Sequence, residues 1–181
     1  MAIRAVVFDI GGVLELTPDR GLREKWGLDG RMDHIWAAGA IGTVTEQQVH
    51  EAVAEHYGFD EEQVSALMDD IWAEYLGTAN TRLIAFVRGL RPRYRTGILS
   101  NSFVGARERE QAAYGFEDLV DDIVYSHEVG MSKPDPRIYR LSCERLGVEP
   151  GEAVFIDDTP ACVEGARAVG MRGILYSSVA G

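Results

Sequence analysis

Five short apolar runs, separated by stretches with helical spacing, constrain this chain more than any other feature. The runs cover residues 3–8, 96–99, 123–125, 153–156 and 173–175. Their β-branched and aromatic residues are continuous rather than alternating, which marks strands buried on both faces, as in parallel sheets. The intervening helical periodicity covers 81–90, 105–114, 136–146 and 160–169. Strands that alternate with helices of this length predict right-handed βαβ crossovers, and so an α/β fold in three layers around a doubly wound, five-stranded parallel sheet.

Residues 16–79 break the rhythm, because they carry helical patterns and no convincing strand. Thr45-Glu46-Gln47-Gln48 reads as a capping box opening a helix to about Tyr57, and Asp60-Glu61-Glu62-Gln63 opens the next. In that second helix Val64, Leu67, Met68, Ile71, Trp72 and Tyr75 recur at three- and four-residue spacings. The chain therefore divides into a core of residues 1–15 and 80–181 and a helical insert, 16–79, placed after the first strand. Open α/β sheets bind ligands at the carboxyl ends of their strands, so an insert there is expected to act as a lid. Trp26, Trp36 and Trp72 are expected to pack the helices of the insert. His50 and His56, six residues apart, make a poor common face and are expected to be solvated.

A chain of 181 residues with 46% hydrophobic and 26% charged residues suits one globular core with an insertion. Its 18 basic and 29 acidic residues leave a net charge of −11, and no block of Lys or Arg offsets it. That balance argues against nucleic acid and against anionic membrane surfaces as partners. The first apolar run is too short to span a membrane and is interrupted by Asp9. Cys143 and Cys162 stand in no CxxC pair and beside no His at metal-ligand spacing, so neither a disulfide framework nor a zinc site is expected. With no secretory signal visible, a cytoplasmic location is expected.

The chemistry gathers at the strand ends. Asp9 closes the first strand and is followed by Gly11-Gly12; a carboxylate there serves as a nucleophile, a metal ligand or a turn residue. Phe155-Ile156-Asp157-Asp158 ends another strand in adjacent carboxylates, just before the helix start Thr159-Pro160. Two like charges side by side repel, and a bound cation removes that cost. Oxygen donors without His or Cys favour a hard ion such as Mg²⁺; the alternative is a helix cap. Ser100-Asn101 offers a hydroxyl and backbone N–H groups that suit a phosphate oxygen or a turn. Ser132-Lys133-Pro134-Asp135-Pro136 fixes a lone cation between prolines, suited to neutralising phosphate or to solvent.

Together FDIGGVL, ILSNS, SKPDP and FIDDTPACVEGARAVG, in this order on four strand ends, resemble the motif set of the haloacid dehalogenase-like hydrolase superfamily. The resemblance covers about residues 3–16 and 93–176; the insert matches a cap in size and helicity only. It implies a strand order fifth, fourth, first, second, third, with a helical cap. It also implies a Mg²⁺-dependent phosphatase of a small phosphate monoester such as a sugar phosphate. Asp9 would be the nucleophile, forming an aspartyl-phosphate that water hydrolyses. Mg²⁺ would be held by Asp9, the Gly11 carbonyl and Asp158, with Asp157 as a further or outer ligand. Ser100, the Asn101 backbone and Lys133 would neutralise the transferring phosphoryl group, which asks mainly for positioning and charge stabilisation.

Phosphatases of that family usually carry a second Asp two residues after the nucleophile as acid and base, and here the position is Gly11. Three readings follow: a phosphatase for esters with good leaving groups; an enzyme whose acid comes from Glu15, Asp19 or His34; or a non-catalytic phosphate-binding module. The dehalogenase branch also lacks the second Asp, but it needs no metal and so no paired carboxylates at Asp157-Asp158. His127, after the third strand, is a further residue that could border the site.

Overall fold

The computed structural model describes residues 2–177. In chain order the strands are β1 (Ala5–Phe8), β2 (Glu15–Leu16), β3 (Thr78–Ala79), β4 (Arg95–Ser100), β5 (Asp122–Tyr125), β6 (Ala153–Asp157) and β7 (Arg172–Leu175). The α-helices are α1 (Leu22–Trp26), α2 (Asp33–Ala40), α3 (Glu46–Tyr57), α4 (Glu61–Leu76), α5 (Thr81–Leu90), α6 (Ala106–Tyr114), α7 (Phe116–Leu119), α8 (Ser126–Val129), α9 (Pro136–Leu146) and α10 (Pro160–Ala168). The main sheet is parallel with order β5-β4-β1-β6-β7, which is the order expected for the five apolar runs.

Burial explains the layers. Val7, Leu99 and Phe155 point to one face and pack with Ile138, Tyr139 and Cys143 of α9 and Cys162 and Ala166 of α10. Phe8, Ile98 and Ile123 point to the other and pack with Ile84 and Val87 of α5 and Phe116 and Leu119 of α7. Each fully buried aliphatic side chain contributes ~1.5–3 kcal/mol, which favours apolar residues along the middles of strands covered on both faces.

Register then decides which residues share the sheet edge. Phe8 pairs with Ile98 on one side and with Ile156 on the other. Asp9 therefore stands level with Asp157, and the Asp9 N–H donates to the Ile156 carbonyl at 2.9 Å. Ser100 lies one residue further along the neighbouring strand.

The insert holds α1 to α4 around Val49, Val53, Val64, Leu67, Met68 and Trp72, with Trp26 and Trp36 packed against them, as expected of the tryptophans. Both capping boxes form, on Thr45 and on Asp60. Two expectations need correction. The insert does contain strand: β2 and β3 pair antiparallel, Glu15 with Ala79 and Leu16 with Thr78, closing its neck. Two-residue strands are too short to show alternation, so their partner alone defines them. His50 and His56 are half-buried rather than solvated; His56 Nε2 lies 3.3 Å from Asp29 Oδ1, a residue that only the fold brings near. Both cysteines are free and buried. Among the described residues no helix is long and apolar enough to cross a membrane.

Candidate active site

The strand ends bring the expected residues to one place. Carboxylate oxygens of Asp9, Asp157 and Asp158 lie within 4.8 Å of one another. Into this group reaches Lys133, whose Nζ is 2.8 Å from Asp9 Oδ1 and 2.6 Å from Asp157 Oδ2. Lys133 comes from the loop after α8, and Asn101 after β4 holds that loop by its side chain. Asn101 Oδ1 accepts from the Lys133 N–H at 2.8 Å and Asn101 Nδ2 donates to the Lys133 carbonyl at 3.1 Å. A role for the Asn101 side chain was not legible in the sequence, which pointed only to its backbone.

The two adjacent acids do different things. Asp157 is fully buried, with Oδ2 taken by Lys133 and Oδ1 accepting from the Thr159 N–H at 2.7 Å. Both of its oxygens are thus committed to positioning. Asp158 is exposed and, among the described residues, receives one side-chain bond, from Thr159 Oγ1 at 3.3 Å. Its carboxylate lies against Gly12, whose φ of 72° falls in the left-handed region and where a Cβ would overlap the Asp158 carboxyl group. The second glycine of the pair is therefore the constrained one, whereas Gly11 has no positive φ.

Three carboxylates meet one ammonium here, so the group is anionic. Burial raises Asp9 to about 6, against the attraction of Lys133 and with the repulsion of Asp157. Burial alone would pull the Lys133 ammonium down, yet Asp9 and Asp157 outweigh it and hold it above its usual value. A dianionic phosphate entering beside these acids would meet net repulsion, which a hard divalent cation relieves. The donor set fits such a cation: oxygen only, with Asp158 open to solvent and Asp9 using one oxygen for Lys133. Ser100 is buried, and its hydroxyl makes only a long 3.4 Å bond to the Asn101 carbonyl, so it remains free to turn toward a ligand.

Of the three acids considered as substitutes at Gly11, one is near it. An ideal Cβ on Gly11 would lie 3.9 Å from Glu15 Oε2 and 3.9 Å from Thr17 Oγ1. Asp19 is exposed and caps Gly21, and His34 is exposed with Nδ1 3.0 Å from the Arg31 carbonyl. His127 Nδ1 lies 2.6 Å from Ser102 Oγ, and burial lowers its pKa; it faces the loop beyond Ser100. Behind the site is a group with no sequence signal. Glu110 of α6 is buried and accepts from the Tyr125 hydroxyl, and its Oε1 has no partner among the described residues; burial raises it to about 7, against the bond from Tyr125.

The model of the haloacid dehalogenase-like hydrolase family matches residues 3–170. A phosphatase of Mycobacterium tuberculosis, MT3486, is 43% identical over 90 residues, 49% of this chain and 39% of that protein, so this chain spans about two fifths of its length. The D-ribitol-5-phosphate phosphatase of Bacteroides thetaiotaomicron is 24% identical over 187 residues, 94% of this chain and 90% of that one. A crystal structure of a family enzyme from the same organism, in complex with magnesium and inorganic phosphate, superposes with a TM-score of 0.83 at 22% identity, covering 99% of this chain and 97% of that chain.

Proposed function

The chain belongs to the haloacid dehalogenase-like hydrolases, and from that premise we propose that it is a Mg²⁺-dependent phosphatase of a small phosphate monoester. The observation that carries the reading is the meeting of Asp9, Asp158 and Lys133 at one sheet edge. The phosphatases among its relatives support it. The paired carboxylates favour it over the metal-free dehalogenase chemistry.

In this reading Asp9 attacks phosphorus in line through the oxygen that Lys133 leaves free. The bond to the leaving oxygen breaks, and an aspartyl-phosphate remains for water to hydrolyse. Lys133, the Ser100 hydroxyl and the Asn101 backbone N–H neutralise the equatorial oxygens, while Asp157 holds the ammonium in place. Asp9, Asp158 and the Gly11 carbonyl are the groups that would hold Mg²⁺. The ion would supply charge neutralisation on the phosphoryl oxygens. The helical insert, 16–79, serves as the cap that encloses the leaving group.

The test is phosphate release from sugar phosphates, nucleotides and p-nitrophenyl phosphate, with and without Mg²⁺. Hydrolysis that EDTA and Asp9→Asn both abolish is expected. Dechlorination of 2-chloropropionate without metal, with every phosphate inert, would establish the dehalogenase chemistry instead. Inertness toward all substrates would leave a phosphate-binding module.

A further inference from the structure

Gly11 lacks the side chain that a proton donor to the leaving group would need, yet the space beside it is filled. The Cβ–Oδ separation of an aspartate is about 2.4 Å on ordinary bond lengths. Glu15 Oε2 and Thr17 Oγ1, both 3.9 Å from the ideal Gly11 Cβ, thus stand only a little beyond where an aspartate's oxygens would reach. They also touch each other, Thr17 Oγ1 and Glu15 Oε2 being 2.9 Å apart.

The two residues differ in access. Glu15 is 1% exposed, in the neck ribbon at β2, and its Oε1 has no partner among the described residues. Thr17 is exposed and forms part of two walls. One bounds a cavity of about 520 Å³ with Gly12 and Asp158, and the other a cavity of about 320 Å³ with Trp36, Ile71 and Tyr75 of the insert. Thr17 therefore borders both the Asp158 side of the cleft and a groove lined by residues of the insert. A leaving oxygen bonded to phosphorus beside Asp158 and carrying its organic group toward the insert would come within reach of this residue.

We propose that Thr17 is the catalytic proton donor to the leaving oxygen and that Glu15 is the positioning residue behind it, acting only through the Thr17 hydroxyl. As the bond from phosphorus to the leaving oxygen breaks, its electron pair stays on that oxygen, which takes the Thr17 hydroxyl proton. The Glu15 carboxyl proton passes to Thr17 Oγ1 and leaves a carboxylate. When water attacks the aspartyl-phosphate, its proton returns along the same path. A hydroxyl both donates and accepts, so the same 2.9 Å contact serves in either direction. The Glu15 side chain is enclosed by protein, with Thr17 Oγ1 on Oε2 and no partner on Oε1 among the described residues, a setting in which a carboxyl keeps its proton. The inference rests on the phosphatase reading and adds the origin of the proton to it.

The test is the dependence of turnover on leaving-group pKa, from p-nitrophenyl phosphate through phenyl phosphate to glucose 6-phosphate, all with Mg²⁺. Thr17→Val should lose ~10²-fold on the alkyl ester, the scale of one positioned acid, and at least tenfold less on the nitrophenyl ester. Thr17→Ser should recover most of the loss. Glu15→Gln should steepen the same dependence, and the double variant should be no steeper than either single one, because the two act in series. A purely structural role would lower all esters alike, and that result, or an unchanged slope in Thr17→Val, would overturn the proposal. Thr17 is exposed, so its variants carry the test even where melting shows Glu15→Gln to be unfolded. An active wild type with an unaltered Thr17→Val slope refutes this inference alone, whereas a wild type inert to all three esters refutes the phosphatase reading and this inference with it.

Discussion

The Lys133 ammonium lies 2.6 Å from the Asp157 carboxylate, with side-chain exposures of 2% and 0%. Asp9 joins the same ammonium from the other side. Removing one partner of a buried pair strands the other charge, at ~3–5 kcal/mol. Lys133→Met should therefore lower Tm by on the order of 10 °C at about 2–4 °C per kcal/mol. Adding Asp157→Asn should recover part of that loss, because it removes a stranded charge. Thermal melts of the two single variants and the double variant check this. Losses that simply add would show that the pair is not coupled.

Gly12→Ala should be more harmful than its size suggests. The backbone is left-handed there, and the added methyl would push on the Asp158 carboxylate. A stability loss above ~1 kcal/mol is expected from the backbone alone. The Mg²⁺ concentration for half-maximal activity should rise about tenfold or more, the scale seen when metal-site partners move. An unchanged Mg²⁺ response in a folded Gly12→Ala protein would remove Asp158 from the cation site.

Gly11→Asp tests the opposite kind of glycine. Its backbone has no positive φ, and the nearest atoms to an added Cβ are at ordinary contact distance. In the wild type the new carboxyl group would stand beside Glu15 and Thr17 and should change the leaving-group dependence little. In Thr17→Val it should restore turnover of the alkyl ester, by up to ~10²-fold. Rate measurements on the same ester series decide it; a gain in the wild type equal to that in Thr17→Val would mean that no proton donor was present before.

Glu110 makes stability depend on pH in a definite direction. Its carboxyl ionises near 4.5 when exposed and at about 7 in the folded chain, chiefly through burial. Between those values the folded chain holds a proton that the unfolded chain has lost, so stability falls as pH rises through the window. The whole contribution is roughly 3 kcal/mol at about 1.4 kcal/mol per pH unit. Urea denaturation at pH 5 and pH 8 should show a smaller drop for Glu110→Gln than for the wild type, by on the order of 2 kcal/mol. Equal drops would mean that Glu110 ionises normally in the fold.

The sequence by itself determined the sheet, its strand ends and the residues placed there. A strand covered on both faces is apolar along its middle, so Asp9, Ser100 and Asp157 stand at or just past the carboxyl ends of their strands, where buried polar groups can find partners from the loops. Helix starts were equally legible, because Thr45 and Asp60 cap residues three positions along the same chain. What only the tertiary structure decided is the division of labour among those residues. Asp157 and Asp158 are neighbours of the same chemistry. One is committed to Lys133, 24 residues away, and the other is open to solvent. Glu15 read as one of three equal candidates until the β2–β3 neck set it beside Gly11, and Glu110, on a helix rich in charge, gave no sign of being buried against Tyr125. Local pattern records which face of an element is apolar, since neighbours in sequence share that face. Which side chain from a distant element meets it depends on packing, and for a carboxylate that meeting decides between a positioning group, a cation ligand and a store for a proton.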